Sequence, residues 1–236
     1  MVKIYSKEET LIKLSEALEN GEESLYSSNI VNWKGFAKDT KVPYTEEIIQ
    51  KLYFEKIIKN KSISNVEKLS REKNYYTETH EELVKLKSEG SNREEENYVK
   101  SLFFYNPFEK EIGVPIDYQT PLKNEQKDNV GKVDLITFKR DSSELFIVEV
   151  KKNGSEETAL RCCLEVQTYL QKLDISKLVD DFYKIGKIPT KDLKIKLAVI
   201  VFENSQPAIE FKDETRVNLQ KLVDDFNIKV CYAKWT

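Results

Sequence analysis

The residues of this chain best equipped for chemistry are two carboxylates and an amine, Asp134, Glu149 and Lys151. They lie on two apolar runs, Lys132 to Lys139 and Glu144 to Lys151, joined by the polar tetrad Arg140-Asp141-Ser142-Ser143. β-Branched and aromatic runs flanking a short polar tetrad read as a β-hairpin. With pairing symmetric about the turn, Asp134 faces Glu149, Ile136 faces Ile147 and Phe138 faces Leu145 on one side of the sheet. On the other side Val133 faces Val150, Leu135 faces Val148 and Thr137 faces Phe146. Both faces are then almost wholly apolar, as a hairpin covered on both sides requires. Asp134, Glu149 and Lys151 break that pattern, and strand alternation puts all three on one face.

Cross-strand partners have Cβ atoms roughly 4.5–5.5 Å apart. Two carboxylates at that distance repel unless a positive charge lies between them, and a hard divalent cation with oxygen ligands meets the need. The Lys151 ammonium, about 7 Å along the strand from Glu149, reaches toward a phosphate oxygen or an attacking water. Cation and ammonium together polarise a phosphoryl oxygen, activate water and stabilise the charge of the transition state. The plain alternative is a cross-strand charge cluster at the sheet's exposed end.

The flanking elements are those such a hairpin needs. Ser91 and Asn92 can cap a helix running to about Phe104, with Val99, Leu102 and Phe103 as its apolar stripe. Strands are expected over Gly113 to Tyr118, Lys194 to Phe202 and Ile228 to Ala233, and helices over Glu156 to Leu173 and Glu214 to Phe226. The order α-β-β-β-α-β, then α-β, implies a mixed sheet with helices on both faces. Residues 1–90 read as a helical extension, with helices at Leu11 to Leu18 and Tyr44 to Ile58, the second with Thr45 as its N-cap. Trp33 and Phe36 are read as anchors of the connection between them.

The bulk composition excludes several classes. The 236 residues are 39% hydrophobic and 33% charged, with a net charge of −3, so a polyanion must be met by a local patch or through a metal. Lys132, Lys139, Arg140, Lys151, Lys152 and Arg161 cluster in sequence around the site and are read as a phosphate-binding rim. The three cysteines, Cys162, Cys163 and Cys231, show no CxxC spacing, which argues against a structural zinc and for a reducing, cytoplasmic setting. The single histidine, His80, lies in a polar run and rules out two-histidine metal sites. No segment has the apolar length of a membrane span.

The stretch Gly131-Lys132-Val133-Asp134-Leu135-Ile136, followed by Ile147-Val148-Glu149-Val150-Lys151, resembles the PD-(D/E)XK nuclease superfamily. That superfamily shares an αβββαβ core and includes restriction enzymes, repair exonucleases and Holliday-junction resolvases. The resemblance covers roughly residues 91–235, and Val133 stands where the signature has proline. It implies an α/β, restriction-endonuclease-like domain over residues 91–236 with an N-terminal helical extension over 1–90. Asp134 and Glu149 would be Mg²⁺ ligands, with Mn²⁺ able to substitute, and Lys151 the catalytic lysine. Many members carry a glutamate on the first core helix. Glu95 is the choice here because it shares a face with Val99 and Leu102, with Glu94 and Glu96 as alternatives. The exonuclease branch has a QxxxY motif on the helix after the lysine strand. The matching pair here is Glu165 and Tyr169, with glutamate replacing glutamine, and the rival partner for Glu165 is an ion pair with Arg161.

The expected function is metal-dependent hydrolysis of phosphodiester bonds, with DNA as the substrate and no membrane partner. A catalytically inactive nucleic-acid-binding or assembly module of the same fold is the alternative, and an RNA nuclease is a further one. The sequence leaves the oligomeric state open, a homodimer included.

Overall fold

The computed structural model describes residues 4–19, 25–58, 71–76, 91–122 and 131–234. The helices in chain order are α1 (Lys7–Glu19), α2 (Tyr44–Phe54), α3 (Ser91–Phe104) and the single turn α4 (Glu109–Ile112). Strands β1 (Val114–Pro121), β2 (Lys132–Lys139) and β3 (Glu144–Val150) follow. Then come α5 (Ala159–Lys172), α6 (Ile175–Lys184), β4 (Lys194–Phe202), α7 (Gln206–Lys212), α8 (Val217–Phe226) and β5 (Ile228–Ala233). His80 lies outside the described residues, as do the side chains of Ser91 and Asn92.

The chain is an α/β protein whose five strands form one mixed sheet in the order β1-β2-β3-β4-β5. β1, β2 and β3 are antiparallel neighbours, whereas β3, β4 and β5 run parallel. Parallel neighbours need crossover connections, and these are α5 with α6, then α7 with α8. The β2–β3 hairpin has the register that its symmetry predicts, with Leu135 opposite Val148, Ile136 opposite Ile147 and Phe138 opposite Leu145. A 3-10 turn over Arg140–Ser142 closes it, and Ser143 completes the turn in the left-handed conformation at φ 52°.

Each face of the sheet is buried under its own layer. Ile136, Phe138, Leu145, Ile147, Leu197 and Val199 pack with α5, α8 and the N-terminal helices. Leu135, Phe146, Val148, Ala198 and Ile200 pack with α3 and α4, through Val99, Leu102 and Ile112. No helix among the described residues is long and apolar enough to cross a membrane.

The N-terminal elements are bolted into this core. Leu14, Ile30, Val31, Ile48, Ile49 and Leu52 belong to the same apolar cluster as the α5 side of the sheet. Both oxygens of Glu46, on α2, accept the first free amides of α8, from Asn218 and Leu219, each at 2.9 Å. Likewise Asn32 Oδ1 accepts the Thr158 amide at 2.8 Å, at the start of α5. Helix N-termini leave four donors without internal partners, and here side chains remote in sequence take them.

Several local expectations change. Thr45 does not cap α2, which follows Pro43 directly, and its hydroxyl instead accepts from Arg216 at 2.8 Å. Trp33 does anchor its connection, stacked on Tyr5 and edge-on to Tyr44, but Phe36 is 57% exposed. Helix α5 starts at Ala159 because Thr158 takes the N-cap and accepts from the Arg161 amide. The sequence reading places no element between Leu173 and Lys194, yet α6 lies there, and α7 is similarly unforeseen.

Because Glu46 serves two buried amides of α8, Glu46→Ala strands both donors. Stability should fall by about 1–3 kcal/mol, measured by urea denaturation. An unchanged midpoint would show that the caps contribute nothing.

Candidate active site

The sheet forks where the carboxylates stand. The β2–β3 ladder runs from Lys139 opposite Glu144 to Leu135 opposite Val148. Beyond it β2 stays with β1, Thr120 facing Val133 and Pro121 facing Lys132. β3 stays with β4, Glu149 facing Val199 and Val150 facing Ile200. One step past the last ladder pair stand Asp134 and Glu149, close enough for the Asp134 charge to act on Glu149.

Asp134 bridges the fork. Its Oδ2 accepts the Val150 amide at 2.9 Å, a side-chain oxygen doing the work of a main-chain acceptor. Its Oδ1 accepts from Gln119 Nε2 of β1 at 3.0 Å. Lys151 extends β3 by one residue, its amide donating to the Ile200 carbonyl at 2.9 Å. The Lys151 ammonium is buried and meets three carboxylates: Glu149 at 2.5 Å, Glu157 at 2.7 Å and Glu165 at 2.8 Å. Glu165 comes from α5, where Tyr169 one turn on donates its hydroxyl to the other Glu165 oxygen at 3.1 Å. The second oxygen of Glu149, Oε2, is buried and no donor among the described residues reaches it.

Glu95 approaches from the opposite layer, on α3, and accepts the Lys152 amide at 3.3 Å. Its charge acts on Asp134. Glu94 is solvated, 3.7 Å from the Lys152 ammonium. The five residues singled out from the sequence, Asp134, Glu149, Lys151, Glu95 and Glu165, therefore meet at one end of the sheet.

Three further residues belong to the site. Glu157, in the loop before α5, contacts Lys151 and also pairs with Arg161 at 3.2 Å. Arg161 thus forms its ion pair one turn earlier than the anticipated one with Glu165. Gln119 holds Asp134. Tyr26, from the N-terminal elements, stands edge-on to Tyr169 at 6.4 Å between ring centres. An i, i+4 spacing marks Glu157 with Arg161, but nothing in the sequence marks Gln119 or Tyr26.

The expected basic rim does not form as one surface. Lys139 and Arg140 sit at the hairpin turn, about 17 Å from Asp134 at the rise of a strand. Lys151 is buried among carboxylates and Arg161 is engaged by Glu157.

The electrostatics follow from crowding negative charge out of water. Burial, and then the Glu95 charge, push the Asp134 carboxyl up to about 7. Burial, then Asp134 and Glu165, raise Glu149 well above the ordinary carboxylate range. Burial also raises Glu95, partly offset by Lys151. Glu165 ends on the other side. Burial alone would raise it, but the charge and hydrogen bond of Lys151 hold it below its ordinary value. Burial opposes the charge on Lys151, yet Glu149 and Glu165 outweigh it and keep the amine protonated.

Such a site can bind a cation. Buried carboxylates that hold protons near neutrality, together with an oxygen lacking any donor, are satisfied by a divalent metal. Among the described residues no three acidic, histidine or cysteine side chains close around a single point. Two carboxylates suffice for Mg²⁺, which keeps several waters and takes further ligands from substrate phosphates.

The raised Asp134 carboxyl makes a pH prediction. Folded Asp134 binds a proton up to about 7, while an unfolded aspartate releases it near pH 4. Between those values the folded state holds more protons, so metal-free stability falls as pH rises from about 4 to 7. Asp134→Asn should flatten that part of the decline in denaturant titrations run in EDTA across this range. An equally steep decline in the variant would place the proton elsewhere.

Comparison with family models, with curated proteins and with solved structures returns no match, so the site is read from its own geometry.

Proposed function

We propose that this chain is a metal-dependent nuclease of the PD-(D/E)XK type that hydrolyses phosphodiester bonds. The observation that carries the reading is the donorless, buried Oε2 of Glu149, set beside Asp134 with the Lys151 ammonium 2.5 Å from the other Glu149 oxygen. An oxygen left in that state costs free energy unless a cation or proton completes it. Asp134 and Glu149 would hold Mg²⁺ or Mn²⁺. A cation bound there supplies Lewis acidity toward a phosphoryl oxygen and a more acidic bound water.

The remaining chemistry belongs to the chain. Lys151 stays charged in a dry setting, where its attraction for a phosphate oxygen is strong. Lys151 donates a hydrogen bond to Glu165 and has Glu149 and Glu157 at ion-pair distance, so contact with substrate requires one carboxylate to move aside. Glu157 is the exchangeable one, since it lies in a loop and its side chain is 29% exposed. Glu165 is 12% exposed and fixed by Tyr169, so it keeps the lysine in place. Glu95 adds negative charge on the far side of Asp134 and ties α3 to the strand end. DNA as the preferred nucleic acid rests on the resemblance of the Gly131–Ile136 and Ile147–Lys151 segments to the superfamily.

One observation favours a second reading. Three carboxylates surround Lys151, which also suits a closed ion cluster that merely stabilises the fork of a non-catalytic nucleic-acid-binding or assembly module. The two readings differ in turnover. The purified protein should cleave at least one of linear, circular, branched or single-stranded DNA, or RNA, with Mg²⁺ or Mn²⁺ and not with EDTA.

Lys151→Ala should lower the cleavage rate by roughly 10²–10³, the value of one transition-state electrostatic contact. It also leaves buried carboxylates uncompensated, at a cost of about 3–5 kcal/mol, so rates are compared well below the variant's melting temperature. Glu149→Gln should abolish the rise in melting temperature that Mg²⁺ or Mn²⁺ produces in the wild type. Blank assays on every substrate with folded wild-type protein would retire the nuclease in favour of the module.

A further inference from the structure

Strand β1 contains a break in regular geometry at the one residue that faces Asp134. Tyr118 pairs with Leu135 and Thr120 with Val133, a register that puts Gln119 against Asp134. Gln119 and Asp134 do not themselves appear as a ladder pair, because Gln119 is left-handed at φ 49°. A non-glycine residue pays sterically for that conformation, and it is out of keeping with a strand interior.

Two contacts hold the kink. Asp117 and Thr120 are three residues apart and would point to opposite faces of a regular strand. Here the Thr120 hydroxyl donates to Asp117 Oδ2 at 2.7 Å, with both residues buried. The Gln119 amide donates to Asp134 Oδ1 at 3.0 Å. With the Val150 amide on Oδ2, both oxygens of Asp134 are fixed in direction. One is fixed by the main chain of β3 and the other by a side chain that a strained backbone delivers.

The Gln119 side chain is only half-buried, so the apolar core does not account for its placement. Its amide contributes nothing to the sheet ladder and engages the carboxylate that stands at the fork.

We infer that Gln119 is a positioning residue, which orients the Asp134 carboxylate so that its remaining lone pairs face the cation site in the fork. The inference rests on the proposed role of Asp134 in binding a divalent cation. An amide donor has two advantages over a cation in this place. It fixes the carboxylate without neutralising it, and it adds no positive charge to compete with the metal. The groups that hold a metal ligand from behind commonly contribute about 10–100-fold in metal affinity.

Two substitutions separate the amide from the kink. Gln119→Gly keeps the left-handed backbone at no steric cost and removes the side chain. Gln119→Asn keeps an amide on a residue that tolerates the left-handed region but shortens the reach by one methylene. Each full-length protein is titrated with Mn²⁺ by calorimetry, and cleavage is followed as a function of Mg²⁺ concentration. Both variants should bind Mn²⁺ about 10–100-fold more weakly than the wild type. Cleavage should be lost at low Mg²⁺ and recovered at high Mg²⁺, with KM for the nucleic acid unchanged.

A wild type that binds Mn²⁺ alongside two variants that bind it equally well overturns the role of Gln119 and leaves the nuclease reading standing. Loss of affinity in Gln119→Asn but not in Gln119→Gly also overturns it, because removing the amide altogether would then cost nothing. A wild type that takes up no divalent cation overturns both.

Discussion

The structure turns on the parting of β2 from β3 at Asp134. Two strands buried on both faces have every reason to stay zipped, since each unpaired main-chain group in a dry interior is costly. They part here because each strand has another neighbour, β1 on one side and β4 on the other, and because Asp134 supplies the acceptor that the Val150 amide would otherwise lack. The wedge that results is reached by Glu165 of α5 and by Glu95 of α3. Into it the sequence places Glu149, Lys151, Glu165 and Glu157, with Glu95 at its edge. The acids outnumber the one enclosed amine, so protons or a cation must make up the difference.

The helices around the wedge are held by residues far from them in sequence. α5 carries Glu165 and Tyr169, and its first turn is tied to Asn32, to the Val31 carbonyl through Thr158, and to Glu210 of α7 at 2.8 Å. α8, behind it, is capped by Glu46 of α2. Tyr26 adds an aromatic edge beside Tyr169. The elements before residue 58 thus build the wall of the wedge as well as packing on its back. α2 meets α8, and α8 and α5 touch each other and the sheet.

What the sequence discloses and what it hides divide along physical lines. The hairpin is legible because strand alternation and a polar turn fix a register, and the ladder from Lys139–Glu144 to Leu135–Val148 follows it. Helix α6, absent from the sequence reading, is nonetheless marked by local signals: Asp174 caps it by accepting the Lys177 amide, and Leu178, Val179 and Phe182 form its buried stripe. The false basic rim came from treating nearness in sequence as nearness in space, although the turn of a hairpin and its open end are the two points farthest apart. Thr45 looked like a cap because capping rules are local, while the Arg216 that claims it lies across the core. Gln119 and Glu46 are invisible in principle. One depends on a backbone angle set jointly by β1 and β2, the other on a helix end 172 residues away.

Glu149 and Glu165 show how one ammonium can serve two purposes. Both touch Lys151 at close range, at 2.5 and 2.8 Å, yet their carboxyls shift in opposite directions. The attraction to the lysine is common to both, so the difference lies in what else each one faces. Beyond Lys151, a hydrogen-bond contact with Glu149 and the charge of Arg161 lower Glu165 further. Glu149 has its second oxygen bare and the Asp134 carboxylate among its neighbours. Glu165 is therefore a permanent counterion that keeps Lys151 charged and in position. Glu149 is an acid that burial and neighbouring carboxylates hold toward its neutral form. Two acids driven apart in this way, around a single base, have separate roles assigned by environment and not by residue type. It is this division, more than the mere presence of three ionisable residues, that distinguishes the wedge from a surface ion cluster, in which each charge is already answered.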